Sequence, residues 1–279
     1  MLNLLNAEFF KLRKSKSVYF GILTAAALAL LLYGSLVMID KINQGELSNG
    51  TGGVIVYQDG SQVDVAGSQG SMMEKIGVTG VLQQMFGGHF TGMILAVLVS
   101  IFVIQEFGSG SIKNLVGKGY SRRRIFLSKL LSVMVLAILF QAAVLAVSIC
   151  LGIPFMGWET FSKTVWMDAA LYAALQMIYG VTVAVIFLLV GELTRNLAAG
   201  IAVSIGVLLF SSTLTAGLDL VFHGLDIQLS NYWVLDLMSS CPVTDFETGF
   251  LVRSIVVSLA WLVIAAVLAA AHFQRADLK

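Results

Sequence analysis

Six long apolar runs, separated by polar segments of very unequal length, lay out this chain. They cover about residues 18–39, 86–105, 129–153, 165–190, 197–217 and 254–271. The first holds 22 uncharged residues, Val18 to Ile39. At about 1.5 Å per residue it reaches about 33 Å, enough to cross a hydrocarbon core and too long for the apolar core of a signal peptide. The pattern predicts an all-α integral membrane protein with six transmembrane helices, one transmembrane domain over residues 1–279. Ahead of the first run, residues 1–17 set Leu2, Leu5, Phe9 and Leu12 at helical spacing, with Glu8, Lys11, Arg13, Lys14 and Lys16 as headgroup contacts. That is the pattern of an interfacial helix on the inner leaflet rather than of a plain basic flank.

The polar segments carry their own signals. Residues 40–85 form a long outer segment in which Val54 to Val65 has two β-prone runs around Asp59-Gly60, a hairpin signal. Met72 to Met85 mixes apolar and polar residues and predicts a helix near the outer surface. Between the second and third runs lies EFGSGSIKNLVGKGYSRRRIFLSK, Glu106 to Lys129. It sets Lys113, Lys118, Arg122, Arg123, Arg124 and Lys129 against one acid, Glu106. Ser111 can cap a short helix to about Val116, Gly117 and Gly119 break it, and Ser121 can cap the next helix. A short helix held flat at the inner surface suits docking to a soluble partner, with Ile112 and Leu115 as its contacts. Glu106 is expected to pair with Arg122 or Arg123.

Residues 154–164 are a short outer loop and 191–196 a tight inner one. Residues 218–253 are amphipathic, with Trp233, Val234, Leu235 and Leu237 too apolar for a free loop. They predict two re-entrant outer helices joined near Ser239 to Val243, broken by Pro242 and buried against a dimer partner or the outer leaflet. Trp233, Leu235 and Leu237 then form an outer gate, with Asp226, Asp236, Asp245 and Glu247 kept in water.

Composition strengthens the membrane reading. Hydrophobic residues make up 58% and charged residues 12% of the chain, with a mean hydropathy of +0.89. A soluble domain carries about 25% charged residues. A net charge of +1 excludes bulk nucleic-acid binding. Thirteen of the 17 Lys and Arg fall on the side of the basic loop; only Lys41, Lys75, Lys163 and Arg253 fall opposite. Basic loops stay in the cytoplasm, so both termini are expected there.

Candidate chemistry is sparse. His89, His223 and His272 sit at different membrane boundaries, so no metal site is expected. VGKG (Val116 to Gly119) is not a phosphate loop, because Ile112 stands where a Gly is needed and Gly119 where Ser or Thr is needed. No catalytic constellation appears, and no Asp, Glu, Lys or Arg lies mid-span. Ion-driven carriers place such groups at membrane depth, so an external energy source is the better reading. Gln141 and Gln176 are the polar residues nearest the midplane: possible pathway contacts, but read first as interhelical hydrogen bonds worth about 1 kcal/mol. Gly180, Gly200, Ser204 and Gly206 read as close-packing positions. Cys150 and Cys241 read as independent buried thiols.

Three stretches of the chain resemble the inner-loop motifs of ABC-2 type permeases. They are Gln105-Glu106-Phe107, then Gly110-Ser111-Ile112-Lys113-Asn114, then Tyr120-Ser121-Arg122 with Ile125-Phe126-Leu127-Ser128-Lys129. In that family a Glu ends the second span, a short coupling helix follows, and an S-R-x-x-(I/L)-x-x-x-K element opens the third. Asn6 to Ser17 is similar to the family's interfacial helix. Ser111 stands where Thr is usual, which keeps the hydroxyl. The resemblance implies a dimeric exporter, homodimer or heterodimer, with a separate ABC ATPase subunit that binds ATP and Mg. No cofactor is then expected in this chain, which would itself not be an enzyme. Glu106, Ser111, Ile112, Lys113, Leu115, Arg122 and Arg123 would couple it to that ATPase. Length and N-terminal pattern are closest to bacitracin-resistance, lantibiotic-immunity and amphipathic-peptide exporters, in contact with lipids of a bacterial plasma membrane. The rival readings are a non-transporting membrane scaffold and a stand-alone channel or ion-driven carrier.

Overall fold

The structure is a computed structural model that describes residues 2–43, 55–58, 61–64, 82–83, 85–86, 89–108, 111–156, 163–222, 228–243 and 246–275. Its helices are α1 (Leu2–Lys14), α2 (Lys16–Asn43), α3 (Phe90–Gly108), α4 (Ser111–Gly117), α5 (Arg122–Met156), α6 (Lys163–Thr194), α7 (Leu197–Val221), α8 (Val234–Ser239) and α9 (Thr248–Arg275). A 3₁₀ turn, Leu229–Tyr232, precedes α8. Outside the helical bundle, β1 (Ile55–Gln58) pairs antiparallel with β2 (Ser61–Asp64). The hairpin signal is thus met by paired strands, while its Asp59-Gly60 turn lies outside the described residues. Most of the helix expected over Met72 to Met85 also lies outside them, as does most of the outer loop 154–164.

Among the described residues five helices, α2, α5, α6, α7 and α9, are long and apolar enough to cross a membrane. The apolar part of α3, Phe90–Glu106, is shorter. This helix begins at Phe90 rather than Phe86 because His89 stands at its head with a left-handed φ of 62° and accepts the first intrahelical bond, from Met93. Several helices outrun their apolar cores. The Ser121 carbonyl accepts from the Arg124 and Ile125 N–H groups, which starts α5 seven residues before the apolar run. At the other end of the α5–α6 pair, Gly191 to Thr194 continue α6, so the inner loop shrinks to Arg195 and Asn196. Arg195 takes a left-handed φ of 50°, and the Asn196 side chain caps α7 by accepting from the Ala198 and Ala199 N–H groups.

α6 is the axis of the bundle, packed by α9, α5, α3 and α7. In its most apolar stretch 67% of residues are buried, against 17% in α7 and 22% in α2. The outer faces of α2, α7 and α9 present Phe20, Phe210 and Val263 to the surroundings. Apolar surface on that scale is an aggregation liability in water and is at rest in hydrocarbon. The chain is a multi-pass membrane protein.

Lipid tails are as apolar as leucine, so helices in a bilayer gain by close packing rather than by hydrophobic burial. Small residues supply that closeness here. A Cβ built on Gly180 would lie 1.6 Å from Gln141 Nε2, so the α5 glutamine lies directly on the α6 backbone. On Gly200 it would meet Ile104 Cδ1 at 2.4 Å, and on Gly152 the Tyr33 hydroxyl at 2.6 Å. That hydroxyl donates to the Ser148 carbonyl at 2.8 Å, locking α2 to α5. Ser204 is fully buried, whereas Gly206 has nothing within 4 Å and is no packing position in this chain. Cys150 is exposed and Cys241 buried; only the second is the buried thiol expected.

Gly180→Leu should destabilise the bundle by about 1–3 kcal/mol, the usual cost of overpacking. Adding Gln141→Ala should recover much of that loss in thermal unfolding of the detergent-solubilised chain. Equal losses in the single and double variants would show that the two residues do not share one space.

Candidate functional site at the inner ends of the helices

The short helix α4 is held by its own C-terminus. Tyr120 N–H reaches back to the Leu115 carbonyl and Gly119 N–H to the Val116 carbonyl, a Schellman cap. That cap needs a left-handed residue at position 119, and Gly119 supplies φ +83°. Ile112 is 2% exposed, and Leu115, Val116 and Tyr120 pack on the same core. This corrects the expectation that Ile112 faces a soluble partner: the helix spends that residue on its own bundle, with Leu115 half-buried beside it. Asn114 and Lys118 face outward. The Lys113 side chain lies outside what the structure describes.

Behind α4 sits a buried ionic network. Glu106, at the inner end of α3, receives Lys11 Nζ from α1 at 2.9 Å. Lys129 of α5 approaches its other oxygen at 3.4 Å and also donates to the Val103 carbonyl at 3.0 Å. Lys11 further bonds Glu8 at 3.0 Å. Glu8, Glu106 and Lys129 are all buried. Burial works against the Lys11 ammonium, but Glu106 and then Glu8 hold its pKa above the ordinary lysine value. The partners brought to Glu106 are therefore Lys11 and Lys129, in place of the expected Arg122 or Arg123. Those arginines reach the end of α9 instead: Arg122 donates to the Gln274 carbonyl at 3.1 Å and Arg123 to its side-chain oxygen at 3.4 Å.

Glu192, in the last turn of α6, is 1% exposed, and neither carboxylate oxygen has a hydrogen-bond partner among the described residues. Lys129 and Arg195 are the cations whose fields reach it. Lys129 contacts Glu106, and at Glu192 only its field is felt.

The outer segment is organised differently from its forecast. A 3₁₀ turn and one short helix, α8, replace the two helices, and they join at Trp233 rather than near Ser239 to Val243. Residues 248–253 belong to α9. Leu235 and Leu237 are buried in the chain's own core, not held out for a partner or the leaflet, because α8 packs on α6. Gln176 Nε2 donates to the Met238 carbonyl at 3.0 Å and so satisfies the end of α8. Trp233 meets Trp261 of α9 edge-on at 4.7 Å. Asp236, expected in water, is 8% exposed and accepts from the Thr215 hydroxyl. Asp226 and Asp245 lie outside the described residues.

A family model described as "ABC-2 family transporter protein" matches residues 4–212, from the interfacial helix through most of α7. The chain belongs to the ABC-2 transporter family. No individual curated protein matches it. An ABC-2 permease is a membrane component that ordinarily works with an ABC ATPase subunit. Of the residues marked from sequence, Glu106 stands in the network, Ile112 and Leu115 pack on the hydrophobic core, and Arg122 and Arg123 bond Gln274 of α9. Gln141 and Gln176 serve helix contacts. Glu8, Lys11, Lys129 and Glu192 went unmarked as site residues; the signal that could have found them is an acid or lysine on the apolar stripe of its helix.

Removing one partner of a buried ion pair strands the other, which costs about 3–5 kcal/mol. Lys129→Met should do so for Glu106, and adding Glu106→Gln should restore part of the stability, read by thermal unfolding. Glu8 gives a pH-dependent test. Burial, then the neighbouring Glu106, lifts its pKa above the ordinary glutamate value, with Lys11 opposing. The folded chain therefore holds that proton more tightly, and the stability it brings is lost as pH rises through the folded pKa. The Tm of Glu8→Gln should gain on wild type from acid to neutral pH; parallel curves would show that Glu8 is not strained.

Proposed function

We propose that this permease is the membrane-spanning subunit of an ATP-driven exporter in a bacterial plasma membrane, with both termini cytoplasmic and α3 as a sixth span. ATP and Mg are bound by a separate ABC ATPase, and two permease chains, identical or not, form the pathway among membrane lipids. The cargo is an amphipathic or antimicrobial peptide or a lipid-like molecule, in keeping with the resemblance to bacitracin-resistance and lantibiotic-immunity exporters. The observation that carries the reading is the Lys11–Glu106–Lys129 bridge, which ties α1, α3 and α5 together at the root of α4. Closure of the ATPases would push α4 and the interfacial helix, and a charge pair buried beneath them would pass that movement to the spans. Outside, the segment bearing Trp233, Leu235 and Leu237 acts as the gate, opening by release of α8 from Gln176.

Because Ile112 is buried, its substitution would test folding rather than docking. The docking surface is better tested at the exposed Asn114 and Lys118. Asn114→Trp with Lys118→Glu should abolish co-purification of a co-expressed ABC ATPase while leaving the Tm of the membrane chain unchanged. Unchanged co-purification would remove α4 as the docking element. In the assembled complex, Glu106→Gln should lower substrate-stimulated ATP hydrolysis severalfold per folded complex; full stimulation would reduce Glu106 to a structural acid.

A further inference from the structure

At the inner end of α9 a groove of about 370 Å³ is lined, among the described residues, by Val267, Ala270, Ala271, Gln274 and Arg275. Val267, Ala271 and Gln274 recur at three- or four-residue spacing, so the groove follows one face of the helix. From Arg275 to Val267 it rises about 12 Å, close to the depth of one leaflet's hydrocarbon, about half of 30 Å. The groove is polar only at its base. Above Gln274 its described wall is alanine and valine, and Val267 is 60% exposed.

The base is strongly basic. α5 starts beside it: Arg122 donates to the Gln274 carbonyl, and Arg123 Nε to the Gln274 side chain, which itself lines the groove. Phe126 and Phe273 hold the two helix ends together, with ring centroids 5.9 Å apart. Arg123, Arg124 and Arg275 are exposed, and among the described residues no carboxylate comes within ion-pair distance of any of them. Glu8 and Glu106, the acids nearest this end in the ionic network, are taken by Lys11 and Lys129.

Guanidinium groups gathered at the foot of an apolar groove repel one another until an anion stands between them. Their planar fork of donors matches the oxygens of a phosphate. Basic recesses at the cytoplasmic ends of membrane helices suit anionic headgroups for this reason. A free anion would meet the charge and leave the alanine and valine wall bare. An acidic protein surface would cover the arginines but could not follow the groove into hydrocarbon. A zwitterionic headgroup would set its own ammonium against the arginines. A negatively charged lipid meets both the base and the wall.

We infer that this groove seats an anionic phospholipid of the inner leaflet, its phosphate on Arg123 and Arg275 within the field of Arg124, and one acyl chain along Ala271 and Val267. The lipid is a resident clamp between the ends of α5 and α9 rather than cargo, so the inference goes beyond the exporter reading and needs no ATPase.

The test is thermal unfolding of the delipidated full chain in detergent, titrated with dioctanoyl-phosphatidylglycerol as probe and with dioctanoyl-phosphatidylcholine and inorganic phosphate as controls. Phosphatidylglycerol should raise the Tm saturably, with an apparent affinity at least tenfold above that of phosphatidylcholine, and phosphate alone should not reproduce the rise. Arg123→Gln combined with Arg275→Gln should weaken the binding at least tenfold. Should that pair fail to fold, Ala271→Trp, which fills the groove from an exposed position and leaves every arginine in place, should cause the same loss. Equal stabilisation by phosphatidylcholine, an equal rise with phosphate, or unchanged affinity in a folded variant would each overturn the assignment. So would arginine variants that lose a co-expressed ABC ATPase yet bind phosphatidylglycerol as wild type does, since the arginines would then belong to a protein partner.

Discussion

A charge placed at the root of an apolar bundle has to be balanced where it stands, since neither water nor a long side chain can reach it cheaply. In this permease the charge is Glu106, and the balance comes from two lysines on different helices, Lys11 and Lys129. The inner ends of α1, α3 and α5 are fixed relative to each other by that requirement. It also explains how an interfacial helix, which could otherwise lie loosely on the headgroups, is pinned to the bundle through one buried face carrying Leu4, Glu8 and Leu12. α4 follows directly on α3, and its apolar side, led by Ile112, packs into the hydrophobic core.

The helix axes pass this arrangement upward without further charges. Away from the ionic network, the contacts between helices among the described residues include small residues that let backbones approach and single polar side chains spent on neighbouring groups. Gln141 lies on Gly180, Tyr33 donates across to Ser148, and the Thr182 hydroxyl donates to carbonyls of its own helix and of Ser258 in α9. Each has a partner helix and a short reach, which suits a medium where packing rather than hydrophobic burial rewards contact.

Much of this was legible in the chain. Apolar runs announced each long helix because a bilayer admits few alternatives, and the Gly-bracketed SIKNLV stretch announced α4 because its turn chemistry is local. Glu106 was legible as an acid ending an apolar run. Its partners were not, because Lys11 lies 95 residues away in sequence and Lys129 reads as one more basic residue of the loop. Glu192 was hidden for a related reason. GELTRN looks like a loop, yet α6 persists through Thr194, and only that extension turns Glu192 inward. The facing of α4 was misjudged because a seven-residue amphipathic helix offers its apolar side equally to a partner or to its own protein. At the outer end, the apolar residues 233–237 did reveal burial, but the number of neighbours within the chain decides what buries them, and periodicity carries no such number.

These facts bear on how the two ends communicate. α6 holds Glu192 at its inner end and Gln176, the anchor of α8, farther out; α7 begins at the Asn196 cap and ends at the Asp219 turn. A two-residue turn, Arg195 and Asn196, joins them. A connection that short leaves little slack, and an intact helix transmits displacement along its axis because its hydrogen-bond ladder resists stretching. Lys129 pairs with Glu106, and its field also reaches Glu192, which is buried without a hydrogen-bond partner among the described residues. α8 is fixed to α6 through Gln176 and to α7 through Thr215 and Asp236, so it ties the far ends of those two helices together.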